Sequence, residues 1–426
     1  MKLFPSLALC LALIGTASAQ SNSSALPPGL PNPLVFANGT PVTTATQWPE
    51  RRAELLRLFT TQMYGQMPPR PAKMRFHVYD HDTHALNGRA TRTQIAILLD
   101  GRSNGPRIDL LLYTPNEVRR PPVILGINFW GNETISNDPG IRISPRWVES
   151  NKNTWVDLSC VKNNRATEAC RGIDARQWPV EKILNRGYAL ATFYRGDLDR
   201  DRKGQFAHSI RSRYPALENG GDNFSAIGAW AWGLGRALDY LQTNPAIDSQ
   251  RVILFGWSRL GKAALWAAAT DQHFAAVISN ESGAGGTKLF RHGRGQSIEQ
   301  LNTDFPYWYC RNFRKYNGQD TRLPFDQHEM LALIAPRPLY IASAIDDKQS
   351  DPLGEFLSAK AVGPVYRLLG SSALPVSDWP PVNTPAIGVV SYHVRVGGHD
   401  VTNYDWTQYL RFCDRYVEHR DESGKP

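Results

Sequence analysis

The chain has 426 residues, of which 42% are hydrophobic, and it carries a formal net charge of +9. This length allows a sizeable buried core, and after the first residues no apolar stretch is long enough to span a bilayer. No block of like charges is long enough for a nucleic-acid-binding arm, so we expect neither nucleic acid nor a membrane as a partner. The diffuse positive charge would suit an acidic polysaccharide, and it equally serves solubility alone.

The first residues have the features of a secretory signal. Lys2 precedes an apolar run over 3–14, and small residues lead up to Ala19. This pattern predicts a signal peptide over 1–19 that is cleaved near Ala19. We therefore expect a secreted or periplasmic protein.

Two further segments follow this signal. Residues 20–33 are rich in Ser, Pro and Asn, which predicts a disordered lead-in. No internal repeat or linker divides the rest of the chain, so we expect residues 34–426 to form a single domain.

Hydrophobic patterning then predicts alternating helices and strands. In chain order the predicted elements are a helix over 48–64, antiparallel strands over 76–113, buried strands over 122–127 and 188–192, and a helix over 223–241. Residues 131–180 are too long for a simple connection, which predicts an insertion near the functional site. Charges of alternating sign over 195–203 predict a solvated loop.

The most informative segment is Gly-Trp-Ser-Arg-Leu-Gly-Lys at 256–262, which lies between an apolar run and a helix-forming run. A serine on a sharp strand-to-helix turn with glycines around it is typical of the nucleophile elbow of serine hydrolases. The spacing is unusual, because Leu260 occupies the position of the last glycine and Gly261 follows it. We predict that Ser258 is a nucleophile.

Candidate partners of this serine follow later strand-like runs. Glu281, Asp347 and His399 each lie where an apolar run gives way to polar and glycine residues. These positions are the carboxyl ends of strands, the edge of an open α/β sheet where ligands bind. The order serine, acid, histidine is that of α/β-hydrolases. We therefore predict an α/β-hydrolase fold: a three-layer sandwich with a mostly parallel central sheet and loop insertions near the site.

The sequence leaves the orienting acid open, because either Glu281 or Asp347 could accept a hydrogen bond from His399. Two other histidines are less suited to catalysis. We interpret His393 and His328 as packing residues, although His328 could brace the site.

The cysteines do not have the spacing of metal ligands, and we expect no metal and no cofactor. Cys160 and Cys170 bracket a short polar loop, so a disulfide there is plausible in an oxidising compartment. Cys310 and Cys413 lie in core-like surroundings, and they could form a second bridge or remain two buried thiols.

Several motifs together resemble the glucuronoyl esterases, carbohydrate esterase family 15, in their bacterial form. Besides the elbow, they are the Glu-Ser-Gly-Ala-Gly-Gly run at 281–286, Pro-Tyr-Trp at 306–308, Leu-Pro-Phe-Asp-Gln-His at 323–328, Ala-Pro-Arg-Pro at 335–338 and Gly-His-Asp at 398–400. The resemblance begins near Arg107 and continues to the end of the chain. It implies an α/β-hydrolase that cleaves the ester between 4-O-methyl-glucuronic acid branches of xylan and lignin alcohols.

The resemblance also implies roles for single residues. Ser258 would be the nucleophile, His399 the general base and Glu281, in preference to Asp347, the acid that orients it. Arg259 would stabilise the oxyanion, a role that a guanidinium next to the nucleophile can fill. Two simpler alternatives are a surface ion pair for Arg259 and an exposed helix lysine for Lys262.

The other residues that the resemblance implies belong to the sugar pocket. Lys262 would hydrogen-bond the sugar hydroxyls, and Trp308 would belong to the substrate-binding residues. Gln349 stands where the family usually has a sugar-contacting tryptophan, and Gln296 stands where glutamate is expected. These departures put the substrate preference in doubt and leave the triad intact.

We therefore expect a monomeric, secreted serine esterase that forms an acyl-enzyme on Ser258. Its expected substrate is glucuronoxylan or a lignin-carbohydrate ester. One alternative is an acetyl- or feruloyl-xylan esterase of the same fold, which Gln349 and Gln296 favour. Another is a carbohydrate-binding relative that has lost catalysis, although such a protein has no need to retain the triad.

Overall fold

The computed structural model describes residues 24–150 and 156–418. The expected signal peptide over 1–19 and the first residues of the expected lead-in lie outside this range. No helix among the described residues is both long enough and apolar enough to cross a membrane.

A nine-stranded sheet organises the described chain. The strands are β1 Arg75–Ala85, β2 Ala90–Leu98, β3 Arg107–Pro115, β4 Val123–Asn128, β5 Ala189–Tyr194, β6 Val252–Trp257, β7 Ala276–Asn280, β8 Leu339–Ala344 and β9 Val390–Arg395. Their order across the sheet is β1-β2-β3-β5-β4-β6-β7-β8-β9. Strands β1, β2, β3 and β5 pair antiparallel, and the strands from β5 through β4 to β9 are parallel.

Helices cover this sheet. They are α1 Trp48–Phe59, α2 Val180–Asn185, α3 Ala226–Leu241, α4 Arg259–Thr270, α5 Ile298–Asp304, α6 Gln327–Ala332, α7 Pro352–Ala361, α8 Gly363–Leu368 and α9 Asn403–Tyr416. Helices α3 and α4 pack on each other and on the central strands, whereas α2 and α9 are joined by hydrogen bonds such as Lys182 to Asn403. The predicted α/β sandwich is therefore confirmed.

The strands after β3 are buried on both faces, as expected for parallel strands between two helical layers. The predicted helix over 48–64 is α-helical to Phe59 and continues as a π-helical turn to Tyr64. The helix predicted over 223–241 begins later, at Ala226, because the Ser225 side chain caps its first turn by accepting from the Gly228 N–H.

The expectation of a disordered lead-in does not hold for its described part, residues 24–33. The Ser24 carbonyl accepts a hydrogen bond from Lys360 at 2.8 Å, and the Pro31 carbonyl lies 2.8 Å from His328 Nε2. The Pro33 carbonyl accepts a hydrogen bond from Arg51. The backbone carbonyls of this segment therefore join it to the rest of the domain.

Residues 131–180 contain two short 3₁₀ turns but no strand among the described residues. Cys160 and Cys170 form a disulfide in this segment, as predicted. Arg176 contacts the Asp400 carboxylate, so the segment reaches the loop that carries His399. Cys310 and Cys413 are buried free thiols rather than a second bridge.

Candidate active site

Ser258 lies at the sharp turn between β6 and α4. Its backbone has φ 56° and ψ −130°, a conformation that a residue with a side chain rarely adopts. Such strain costs about 1–3 kcal/mol and persists only where the surrounding structure enforces it. Here the Ser258 N–H donates to the Asn280 carbonyl at the end of β7, at 2.9 Å. This geometry is that of a nucleophile elbow.

Two glycines explain the unusual spacing around this serine. A Cβ atom on Gly256 would lie 2.3 Å from the Leu260 carbonyl oxygen and 2.7 Å from the Gly261 Cα. A Cβ atom on Gly261 would lie 3.0 Å from both the Gly256 carbonyl oxygen and the Ser282 Cβ. The first turn of α4 therefore folds directly back on β6, and the contact that needs a glycine falls at 261.

His399 follows β9 and lies between two carboxylates. Its Nδ1 atom is 2.6 Å from Asp347 Oδ2 and 3.1 Å from Glu281 Oε2. Both candidate acids are buried, and Glu281 is almost completely inaccessible. Both carboxylates therefore reach the imidazole, and the shorter distance is the one to Asp347. The preference for Glu281 remains a prediction.

The three groups influence each other's protonation. Burial alone would lower the pKa of His399, but its hydrogen bonds to Asp347 and Glu281 outweigh burial and raise that pKa to about 9. Burial opposes the ionisation of Asp347, yet the His399 hydrogen bond lowers its pKa below the ordinary value. Burial raises the pKa of Glu281 to about 7. Asp347 is thus the more acidic of the two carboxyl groups.

Glu281, Asp347 and His399 also have a spacing that could hold a metal ion, since their ligand atoms lie within 4.8 Å of one another. The 2.6 Å separation of Nδ1 and Asp347 Oδ2 is that of a strong hydrogen bond. An Nδ1 atom that carries this proton has no lone pair for a metal. The geometry is therefore accounted for by an oriented imidazole.

Arg395, the last residue of β9, holds this arrangement together and was not identified from the sequence. Its guanidinium donates to Glu281 Oε1 at 2.7 Å and to Asp405 Oδ2 at 2.8 Å. It also donates to the carbonyls of the loop that carries His399, namely those of Val396, Gly398 and Asp400. One side chain therefore fixes the loop and one acid together. The only sequence signal is an arginine at the end of a buried strand.

Arg259, the first residue of α4, lies on the other side of the site. Its guanidinium lies over the Trp308 ring at 4.8 Å and donates to Asp201 at 2.7 Å. The Asp201 carboxylate also accepts from Trp308 Nε1 at 2.7 Å and from the Tyr307 hydroxyl at 3.1 Å. Arg259 is therefore held in a fixed orientation inside the protein, and the alternative of a surface ion pair is wrong.

Asp201 corrects the expectation of a solvated loop over 195–203. Arg195, Asp199 and Asp201 are all buried, because Arg195 pairs with Asp201 and Asp199 pairs with Arg211. The alternation of charges reflects acids that point inward toward arginines. The pattern alone could not show this, because two of the partner arginines, Arg211 and Arg259, lie outside the segment.

All nine predicted site residues line one cavity of about 240 Å³. They are Ser258, Arg259, Lys262, Glu281, Gln296, Trp308, Asp347, Gln349 and His399, and Phe305 and Ser350, which were not predicted, join them. The Trp308 ring stacks on Phe305 with 3.7 Å between ring centroids. The structure thus brings every predicted site residue to one place.

Lys262 is buried, so the alternative of an exposed helix lysine is wrong. Its ammonium donates to the carbonyls of Ser282 and Ala284, the latter at 2.8 Å. Burial and the nearby Arg259 charge lower the pKa of Lys262 to about 7. Two of its three N–H groups are thus committed to backbone, and the third remains for a ligand in the cavity.

Gln296 and Gln349 lie side by side, because the Gln296 N–H donates to the Gln349 carbonyl at 3.0 Å. The Gln296 side chain is buried and that of Gln349 is exposed at the cavity mouth. The two positions that depart from the family pattern therefore form one wall of the cavity.

His393 and His328 lie elsewhere. His393 is buried between Tyr340 and Asp405, and it contacts Asp405 Oδ1 at 2.8 Å, which agrees with a packing role. Burial lowers the pKa of His328 to about 4, so this residue is neutral and donates from Nε2 to the Pro31 carbonyl. His328 therefore braces the N-terminal segment and not the site.

Comparison with known proteins decides the family. Residues 161–370 match fungal glucuronyl esterases. A curated carbohydrate esterase from an unknown prokaryotic organism is 42% identical over 394 residues, which cover 91% of this chain and 89% of the relative. The chain belongs to the glucuronoyl esterases, carbohydrate esterase family 15. It is thus a member of a family of carboxylic ester hydrolases.

Solved structures agree with this assignment. A glucuronoyl esterase from Solibacter usitatus is 41% identical, covers 92% of this chain and 98% of its own, and superimposes with a TM-score of 0.85. A promiscuous family 15 esterase from a marine bacterial metagenome is 40% identical, with 93% and 99% coverage and a TM-score of 0.84. The 4-O-methyl-glucuronoyl methylesterase 1 of Wolfiporia cocos is 25% identical over 92% of this chain and 82% of its own.

The two carboxylates around His399 lead to a prediction about the pH dependence of ester hydrolysis. A general base must be deprotonated, so kcat/KM rises as pH passes through the pKa of His399. Asp347→Asn removes one of the interactions that raise this pKa. The rising limb of the kcat/KM profile should therefore move to lower pH, and Glu281→Gln should move it in the same direction.

The same variants test whether either acid alone can orient His399. Each single amide should retain about a tenth of the activity or more, since the other carboxylate still accepts from Nδ1, and the double variant should lose about 10³-fold or more. A single change as damaging as the double would show that one acid alone orients His399. An unmoved pH limb in both single variants would contradict the pKa assignment.

A second prediction concerns Arg395. Arg395→Lys keeps the charge beside Glu281 but removes the planar fork that reaches several carbonyls at once. We expect kcat to fall by about 10-fold or more with little change in KM, because His399 is then less well positioned. Arg411→Lys on the exposed face of α9 is a matched control and should leave both constants unchanged. Equal behaviour of the two variants would remove Arg395 from the positioning residues.

Proposed function

We propose that this chain hydrolyses esters of 4-O-methyl-glucuronic acid, which link glucuronoxylan branches to lignin alcohols, by way of an acyl-enzyme on Ser258. The observation that carries the proposal is the single cavity that Ser258, His399 and both acids line together with Arg259. Relatives named 4-O-methyl-glucuronoyl methylesterases support the substrate class.

The geometry suggests how the reaction proceeds. His399 takes the proton of the Ser258 hydroxyl as its oxygen attacks the ester carbonyl, and a carboxylate on Nδ1 stabilises the imidazolium. The oxyanion then faces the Arg259 guanidinium and the backbone N–H that follows the nucleophile. Collapse of this intermediate expels the alcohol, which takes the proton from His399. A water molecule activated by the same imidazole then releases the acid from Ser258.

Arg259 suits this role because its orientation is fixed in advance. The Asp201 ion pair and the Trp308 ring hold the guanidinium, so little reorganisation accompanies the growth of negative charge on the substrate. Lys262 offers its remaining N–H to sugar hydroxyls, and Gln296 and Gln349 offer amide groups at the cavity wall.

The expected export is part of the proposal. The signal-like first residues and the Cys160–Cys170 disulfide both fit an oxidising compartment. A polymeric plant cell-wall substrate requires an enzyme outside the cytosol. We expect a monomer that acts without a cofactor.

A second candidate function is hydrolysis of acetyl or feruloyl esters of xylan. Gln296 and Gln349 favour it, because they replace a carboxylate and an indole that would hold the glucuronate ring. The promiscuous family 15 esterase at 40% identity shows that the family includes broader substrate ranges. Relative turnover of benzyl glucuronate and a simple aryl acetate distinguishes the two functions.

The nucleophile is tested by Ser258→Ala. This variant should lose about 10³-fold or more of kcat on benzyl glucuronate, because the covalent step loses its attacking atom. Binding of the free acid should remain close to that of the unmodified protein. Retention of more than about a tenth of the activity would contradict the assignment.

The altered cavity wall is tested by restoring the two family residues. Gln349→Trp adds a flat apolar surface for the sugar ring, and Gln296→Glu adds a strong acceptor for sugar hydroxyls. The double variant should lower KM for benzyl glucuronate and leave hydrolysis of an aryl acetate unchanged. If KM stays high, and the unmodified protein already prefers acetylated or feruloylated xylan, the second candidate function is the correct one.

A further inference from the structure

A second cavity, of about 300 Å³, is lined by Gly196, Asp197 and Arg200. These residues belong to the 195–202 loop, whose Asp201 contacts Arg259 and Trp308 of the catalytic cavity. The lining of the second cavity includes residues that follow β5 and residues that precede β3, so it opens at the same edge of the sheet. The polar and aromatic side chains that matter here are Arg146, Trp147, Asp197, Arg200, His208 and Arg213. None of them takes part in the proposed ester hydrolysis.

Positive charge remains in this cavity because Asp197, the one carboxylate among its lining residues, pairs with Arg146 and leaves Arg200 and Arg213. Asp197 pairs with Arg146, Asp199 with Arg211, and Asp201 with Arg195 and Arg259. The basic residues between these acids point the other way. Arg200 is half-buried, Arg202 is exposed, and neither forms an ion pair with a carboxylate of the described residues.

Trp147 holds these two arginines in place. The guanidinium carbons of Arg200 and Arg202 lie 5.5 and 5.8 Å from the centre of the Trp147 ring. Cation–π contacts of this kind keep the planar guanidinium groups ordered. Arg200 also donates to Gln205 at 2.9 Å. Two ordered cations that pair with no carboxylate in the described part of the chain, beside a cavity, are suited to bind a carboxylate in a forked geometry.

We propose that this basic cavity, which Trp147, Arg200 and Arg213 line and Arg202 borders through its contact with the Trp147 ring, binds a free uronic-acid carboxylate of the polysaccharide whose neighbouring branch occupies the catalytic cavity. The inference rests on the proposed function. A linear chain with repeated acidic branches presents one esterified carboxyl group for hydrolysis and further free carboxylates along its length. Only a loop separates the two cavities, so one such chain can occupy both.

When one polymer occupies both cavities, its second contact is intramolecular. This strengthens binding of the polymer and leaves the affinity for small esters unchanged. Because the arginines are exposed or half-buried, salt should weaken this contribution. A small substrate that fills only the catalytic cavity should not respond to changes at Arg200 and Arg202. Comparing binding of the polymer with hydrolysis of a small ester therefore distinguishes the basic cavity from the catalytic cavity.

The test is calorimetric binding of saponified glucuronoxylan, with the same polymer after reduction of its carboxyl groups as the neutral ligand. The test variant is Arg200→Gln with Arg202→Gln. The matched control is Arg75→Gln with Arg119→Gln, which removes the same charge from exposed positions outside both cavities. We expect the test variant to bind the acidic polymer at least about 5-fold more weakly, and the control to bind it as the unmodified protein does.

The kcat/KM for benzyl glucuronate should be the same in all these proteins, which also shows that the neighbouring Asp201 still holds Arg259. Equal affinity of test and control variants for the acidic polymer, or equal affinity of the unmodified protein for the acidic and reduced polymers, would overturn the proposal. Direct binding does not depend on turnover. A protein that binds the acidic polymer through these arginines and fails on benzyl glucuronate would refute the proposed function alone.

Discussion

The arrangement at the carboxyl edge of the sheet depends on how the half-buried imidazole of His399 is held between two acids. Two carboxylates within 3.1 Å of one nitrogen repel each other strongly in a poorly solvated site. Arg395 makes this arrangement possible, because its guanidinium pairs with Glu281 and at the same time fixes the loop that carries His399. Arg395 thus fixes the loop that carries the base, and its charge favours the ionised form of Glu281. A similar logic applies to Asp201, whose carboxylate holds Arg259 on the opposite side of the cavity.

The charged side chains around the cavity also limit which substrates it can bind. Lys262 and Arg259 bring positive charge to a cavity that is lined by Trp308 and Phe305, which suits an anionic or strongly polar sugar. Gln296 and Gln349 then form a neutral wall where the family pattern has a carboxylate and an indole. If the proposed function is correct, the cavity combines the residues needed for hydrolysis with weaker recognition of the sugar ring. The separate basic cavity around Trp147 provides a physical means by which affinity for a polymer can be recovered outside the catalytic cavity.

Local sequence patterns were sufficient to predict the fold and most of the site, because the residues that indicate each element lie close together in the sequence. Apolar runs of strand length followed by polar residues identified β6 to β9, and the elbow glycines identified Ser258. The features that could not be predicted from the sequence depend on contacts between residues that are far apart in the chain. Asp201 was assigned to a solvated loop because its partners Arg259 and Trp308 lie far away in the chain. Arg395 has no local signature, and the described part of the 20–33 segment is ordered by contacts with distant residues such as His328 and Lys360. The choice between Glu281 and Asp347 was open from sequence, and the structure shows why, since both acids reach the same nitrogen.

The proposed function requires that Ser258 attacks the ester carbonyl as an activated nucleophile. The most direct measurement is covalent labelling by an aryl fluorophosphonate, followed by mass spectrometry of the intact protein and of its peptides. We expect one label per chain, located on Ser258. The rate of labelling should rise with pH as His399 loses its proton. Labelling at another residue, or no labelling of a protein that still hydrolyses esters, would contradict this role of Ser258.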